Sequence, residues 1–88
     1  ISGRVAAAVG RKLGALAKTR QTLVITHLPQ IAGIGDHHLS VRKSDQKDRT
    51  VTHVTPLHGE ARAEEIASLL AGDTVSEAAR QQAQEMLR

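Results

Sequence analysis

The sequence has no cysteine, phenylalanine, tryptophan or tyrosine, and only one methionine and two prolines. Without cysteine there are no disulfides and no thiolate metal ligands, a composition that fits an intracellular protein. Without aromatics the largest single contributions to burial are missing, so a core must be assembled from Val, Ile, Leu, Ala and the one Met. Base-stacking platforms of the kind that hold single-stranded nucleic acid are excluded for the same reason. No apolar run approaches the roughly 20 residues of a membrane span, and no signal peptide is visible. The 88 residues allow at most one small domain. A chain of this size buries roughly 60–65% of the surface its unfolded form exposes. So thin a core implies that the chain packs on something else. It begins Ile1-Ser2-Gly3 with no Met, as expected of a processed chain or a part of a longer protein.

Charge is present in both signs. Twelve Lys and Arg against nine Asp and Glu give a net charge of +3, and the isoelectric point is about 10.0. The basic residues crowd the opening segment (Arg4, Arg11, Lys12, Lys18, Arg20). Such an excess reads first as solvated surface, with a weak, salt-sensitive attraction to nucleic acid as its sharper meaning.

Read in order, Ile1 to Lys18 is expected to be a helix, capped by Ser2, with Val5, Val9, Leu13 and Leu16 as an apolar stripe widened by alanines. Gly10 and Gly14 lie four apart on one face, which is either local weakness or a place where another backbone comes close. No GxxxxGK[ST] phosphate loop occurs anywhere. Thr22 to Thr26, around Leu23-Val24-Ile25, reads as a short strand buried on both faces. Pro29 suits the first turn of a short helix to about Gly33. His37 to Lys43 and Arg49 to Leu57 read as strands of an antiparallel hairpin around the charged turn Ser44–Asp48. Leu39 and Val41 point one way and Ser40 and Arg42 the other. Glu60 to Ala71 is expected to be a helix anchored by Ile66, Leu69 and Leu70 and stopped by Gly72. Thr74-Val75-Ser76-Glu77 matches a capping box for a last helix to about Leu87, burying Val75, Ala78, Ala79, Ala83, Met86 and Leu87 in part.

The expected order is α-β-α-β-β-α-α. About ten residues separate the first two strands, near the minimum for a right-handed parallel crossover. One or two parallel strands do not make a sheet, so the missing strands must come from a preceding part of the same protein or from another chain. The segment is expected to fold poorly alone.

His27 ends the first strand, where open α/β sheets do their chemistry. Taken alone, a histidine there is more often structural. His37 and His38 are adjacent and point to opposite faces of a strand, so a metal site from His27, His37, His38 and Asp36 has nothing to bring three ligands together. His53 and His58 read as surface or edge residues. Gln30 reads as a helix-start residue and Glu64 and Glu65 beside Arg62 as ordinary helix charges. Ser40, Ser68 and Ser76 show no nucleophile elbow.

Thr26-His27-Leu28-Pro29-Gln30-Ile31-Ala32, then Asp36-His37-His38-Leu39, then Leu57-His58-Gly59-Glu60-Ala61-Arg62, with Glu65-Ile66-Ala67 and Leu70-Ala71-Gly72, resemble the end of the RecN family. Those are bacterial DNA double-strand-break repair proteins of the SMC-like ATP-binding-cassette class. The ordered set covers essentially the whole chain.

The resemblance implies an α/β fold: the C-terminal segment of a P-loop NTPase head of the ABC and SMC-like kind. It implies that His27 is the switch histidine approaching the γ-phosphate of ATP and that Gln30 lines the nucleotide site. It also implies that Ser2 and Gly3 are the tail of the D-loop at the interface between two heads. The family's common D-loop Asp is Ser2 here, which can hydrogen-bond but carries no charge. The Walker A lysine loop, Q-loop, signature motif, Walker B pair and coiled-coil arm are not in these residues. ATP and Mg²⁺ are therefore expected in the intact head and not on this segment alone, which is expected to be inactive. The implied partners are the N-terminal part of the same head, a second head in an ATP-dependent homodimer, and DNA, with no membrane and no metal site. The implied place is the bacterial cytoplasm, at the nucleoid. Two other readings stand beside this one: a small basic module that binds nucleic acid or protein without catalysis, and a metal-binding histidine domain.

Overall fold

A computed structural model describes residues 2–87. Six elements follow one another: α1 (Gly3–Ala17), α2 (Pro29–Ala32), β1 (His38–Gln46), β2 (Arg49–Leu57), α3 (Gly59–Ala71) and α4 (Glu77–Met86). The order is thus α-α-β-β-α-α, without the expected strand over Thr22–Thr26. Residues 21–26 have no regular secondary structure. Leu23 is 84% exposed and Ile25 96%. A strand exists only through a neighbour's hydrogen-bond ladder, and the sheet among the described residues holds β1 and β2 alone. Neither burial nor the parallel crossover can form without a further strand.

Helix α1 is capped as the sequence implies: the Ser2 hydroxyl accepts from the Val5 amide at 3.2 Å. The expected start at Ile1 lies outside the described residues. The packed face differs from the expected stripe. Val5, Val9 and Leu16 are 50%, 39% and 44% exposed, whereas Ala6 and Gly10 are buried. The reason is close approach. A methyl group at Gly10 would lie 2.5 Å from Ile34 Cδ1 and 3.2 Å from the Gln30 carbonyl oxygen, and one at Gly14 would lie 3.2 Å from Ile34 Cγ2. The small residues let α1 sit on α2, and the larger apolar side chains on its flank stay open.

β1 and β2 form an antiparallel hairpin in which His38 pairs with Leu57 and Gln46 with Arg49. β1 runs on through Ser44–Gln46, so the turn is Lys47-Asp48 rather than Ser44–Asp48. Lys47 is left-handed at φ 50°, and the Thr50 hydroxyl donates to Asp45 at 3.0 Å across the strand ends. Opposite residues share a face. Ser40, on the face with His38 and Arg42, is buried, while Leu39, Val41 and Val54 on the other face are exposed.

The core lies between α3 and α4. Ile66, Ala67, Ala79 and Ala83 form it, with Ala32, Leu69, Leu70, Val75, Met86 and Leu87 packed around them. Ala78, expected to share in it, is exposed. Gly72 ends α3 at φ 79°, a backbone conformation that favours glycine, and its amide donates to the Ser68 carbonyl at 2.8 Å. The cap of α4 is Ser76, not Thr74. The Ser76 hydroxyl accepts from the Ala79 amide at 3.1 Å, and Glu77 is the first helical residue rather than the third. Val75 packs against the Ile66 cluster, which keeps Thr74-Val75 out of the helix.

A folded monomer of 9.4 kDa exposes about 5,000 Å²; this chain exposes 6959 Å². Its radius of gyration is 14.1 Å against about 12 Å for a compact domain of this length. Both excesses come from surfaces left open on residues 22–26, on α1 and on the hairpin.

The cap assignment has a direct check. Ser76→Ala is expected to cost about 1 kcal/mol of stability, and Thr74→Ala less than about 0.5 kcal/mol, in thermal or denaturant unfolding. The reverse ranking would return the cap to Thr74.

Candidate functional site

The turn that carries His27 is built from its neighbours. The Leu28 amide donates to Thr26 Oγ1 at 3.0 Å, a side chain standing in for a backbone turn. Pro29 occupies the first helical position with its fixed φ. The Ile31 and Ala32 amides then both donate to the Leu28 carbonyl, at 3.1 and 3.0 Å. His27 is exposed just before this turn of helix, and Gln30 is half-buried within it.

The other end of α2 is held from outside. The Arg62 guanidinium donates through Nη2 to the carbonyl oxygens of Gly35 at 2.6 Å, Ala32 at 3.2 Å and Gly33 at 3.4 Å. A helix leaves its last carbonyls without partners, and a cation there also suits the helix dipole. Gly33 passes close to α4: a methyl group on it would lie 3.3 Å from the Met86 carbonyl oxygen. Arg62 is therefore not the ordinary helix charge its sequence position implies. Its acceptors are backbone atoms 27 to 30 residues away, which no local pattern announces. The only signal is that Arg62 falls among the residues that carry the family resemblance.

Ser2 and Gly3 lie at the start of α1, exposed. The Ser2 hydroxyl is engaged as the helix cap. A methyl group at Gly3 would lie 3.3 Å from Gln30 Nε2, so the Gln30 carboxamide rests against the beginning of α1. The fold thus brings together Gly3 and Gln30, with His27 three positions earlier in the chain. The two best-formed depressions lie elsewhere, along α3 and α4, lined by residues such as Glu60, Ala63, Arg80 and Gln84.

Among the described residues no three His, Asp or Glu side chains converge as metal ligands. His53 and His58 are exposed. Glu64 and Glu65 have partners: Arg80 donates to Glu64 at 3.1 and 3.2 Å, and Arg42 of β1 donates to Glu65 at 2.6 Å. His38 sits at this junction of hairpin and α3 with a buried Nδ1 that has no partner, as does Arg62 Nε. Burial, and then the Arg62 charge, hold the His38 imidazole below its ordinary pKa, with Glu65 acting the other way.

For a nucleotide, the residues present fit only its terminal phosphate: an exposed imidazole before a hydrogen-bonded turn and a carboxamide that rests against the start of α1. They contain no phosphate-cradling loop and no carboxylate pair for Mg²⁺.

No family model matches the chain. Curated proteins do, along all of it. It is 52% identical over 87 residues to the DNA repair protein RecN of Deinococcus radiodurans, covering 99% of this chain and 15% of that protein. It is 41% identical over 87 residues to the DNA repair protein RecN of Streptomyces coelicolor, with the same coverage. It is 42% identical over 88 residues to that of Treponema pallidum, covering 100% of this chain and 15% of that protein. The chain thus spans about 15% of the length of these relatives. No helix of the described residues is long and apolar enough to cross a membrane.

The state of His38 can be read through stability. Its pKa is lower in the folded chain than the unfolded value of about 6.5. Its contribution is therefore full above that value and is lost as pH falls below it, because the unfolded state then binds the proton first. Acidification from about pH 7.5 to about pH 5.5 is expected to lower the melting temperature more in the unaltered protein than in His38→Gln. Equal losses would assign no such role to His38.

Proposed function

This chain belongs to the RecN family of DNA repair proteins, and from that premise we propose that it is the part of an ATP-hydrolysing, SMC-like head that supplies the switch histidine. What carries the reading is the match along the entire chain together with the fixed turn that presents an exposed His27. The whole protein then works in double-strand-break repair by recombination, in the bacterial cytoplasm at the nucleoid, with DNA as its partner.

In that head the N-terminal part of the same protein supplies the phosphate loop, the signature motif and the acidic pair. ATP bound there provides the phosphoryl group to be transferred to water, and Mg²⁺ offsets its charge. The residues of this chain do the rest. His27 donates an imidazole N–H to the terminal phosphate, a hydrogen bond strengthened by the charge of the acceptor. Such a donor stabilises the charge that develops in the loose transition state. Gln30 lines the site one helical turn on. Ser2 and Gly3, at the start of α1, face the second head of an ATP-dependent homodimer.

The open apolar surfaces support the reading. Leu23 and Ile25 are almost wholly exposed, as a strand waiting for its neighbours would be, and the N-terminal part of the head is what covers them. A free-standing basic binding module has no use for such surfaces.

His27→Ala in the full-length protein is expected to lower ATP turnover about 10²-fold while leaving its melting temperature unchanged. Hydrolysis at the unaltered rate would sink the assignment.

A further inference from the structure

A helix of four residues does not persist by itself: nucleation is costly and each end leaves backbone groups without partners. α2 is such a helix, and it is the one that sets the His27 turn. Its carboxyl end is fastened by a single side chain. Arg62 Nη2 donates into the carbonyls of Ala32, Gly33 and Gly35. From there a continuous path of hydrogen bonds runs back along the chain. Ala32 accepts from Arg62 at 3.2 Å; the Ala32 amide donates to the Leu28 carbonyl at 3.0 Å; the Leu28 amide donates to Thr26 Oγ1 at 3.0 Å. His27 lies inside the last link. Arg62 is half-buried, and its Nε is buried without a partner, so the Nη2 bonds are what hold the side chain in this pose.

We propose that Arg62 is a positioning residue for His27, acting through the hydrogen bonds of α2 and touching no substrate. The proposal rests on the reading of His27 as the group that meets the terminal phosphate. A guanidinium suits the task because it stays charged and its planar Nη2 presents two fixed N–H donors to a cluster of carbonyls. Groups that orient a reacting side chain from behind commonly change turnover by a factor of ten or more when removed.

The test is ATP hydrolysis by the full-length protein carrying Arg62→Gln, Arg62→Lys, His27→Ala and the double change His27→Ala with Arg62→Gln. Arg62→Gln is expected to lower kcat about tenfold with the KM for ATP held within about twofold. Arg62→Lys, which keeps a cation and donors at the helix end, is expected to recover part of that loss. In the His27→Ala background, Arg62→Gln is expected to add nothing. Arg80→Gln, which breaks an exposed ion pair of α3 and α4, serves as control and is expected to leave kcat unchanged. Should Arg62→Gln fail to fold, Arg62→Lys alone and combined with His27→Ala is read in the same way. An unchanged kcat in Arg62→Gln while His27→Ala is impaired would overturn this inference and leave the role of His27 standing. A loss that multiplies with that of His27→Ala would also overturn it, since Arg62 would then act by another route. Wild-type hydrolysis in His27→Ala would remove the underlying reading and this inference with it.

Discussion

The fold depends on how one turn of helix is held. α2 is too short to keep its own shape, yet α1 rests on it at Gly10 and on the following Ile34 at Gly10 and Gly14, and α4 passes within van der Waals reach at Gly33. Arg62 makes this possible by answering carbonyls that would otherwise be stranded. Hydrogen bonds from a charged donor contribute about 1.5–3 kcal/mol each at best, and three acceptors sharing one nitrogen contribute less than three such bonds. The comparison with the other ion pairs still decides the ranking. Arg80 and Glu64 are 45% and 52% exposed, so their bond is worth about 0–1 kcal/mol. Arg42 is 65% exposed against Glu65 at 20%, which screens that pair as well. Arg62, by contrast, ties α3 to the end of α2 through three backbone acceptors, two of the bonds part-buried.

Around that clamp the core is thin. Among the described residues its one large fully buried side chain is Ile66, and the other buried members of the cluster are alanines. A sequence without aromatics has few other means of filling the space between α3 and α4. The consequence appears at the surface. The hairpin turns Ser40 inward and leaves Leu39, Val41 and Val54 outward, the inverse of a sheet whose one covered face is its apolar face. Packing against α3 is polar there, through Arg42 and Glu65. The apolar side of the hairpin, like residues 22–26, is a surface suited to a neighbour that these 88 residues do not supply.

Legibility followed the range of the forces involved. β2 was readable because β-branched residues beside a charged turn specify a hairpin locally. The Ser2 cap and the Gly72 stop were readable for the same reason, since each acts within one helical turn. The apolar run at residues 22–26 was equally plain, but a strand needs a neighbour's hydrogen-bond ladder, and the described residues give it none. The cap of α4 was misread because Thr74 and Ser76 are both good caps, and the choice between them is made by where Val75 finds the Ile66 cluster. The packed face of α1 was misread because hydrophobic periodicity weighs side-chain size, whereas this contact is set by the absence of side chains at Gly10 and Gly14. Arg62 left no pattern at all, its partners being backbone oxygens in a distant turn. Of the proposed site, residue type and resemblance single out His27, Gln30 and the start of α1; the Arg62 contacts that hold α2 leave no such mark.

That arrangement has a physical economy. α1 begins at Gly3 against the Gln30 carboxamide, and α3 reaches the far end of the same short helix through Arg62. α2 is therefore touched by both α1 and α3. A displacement of α1 along α2 is resisted at Gly10, where Ile34 and the Gln30 carbonyl leave no slack, and a displacement of α3 pulls on the carbonyls that end the helix. Either motion bears on α2, whose first residue, Pro29, lies two positions after His27.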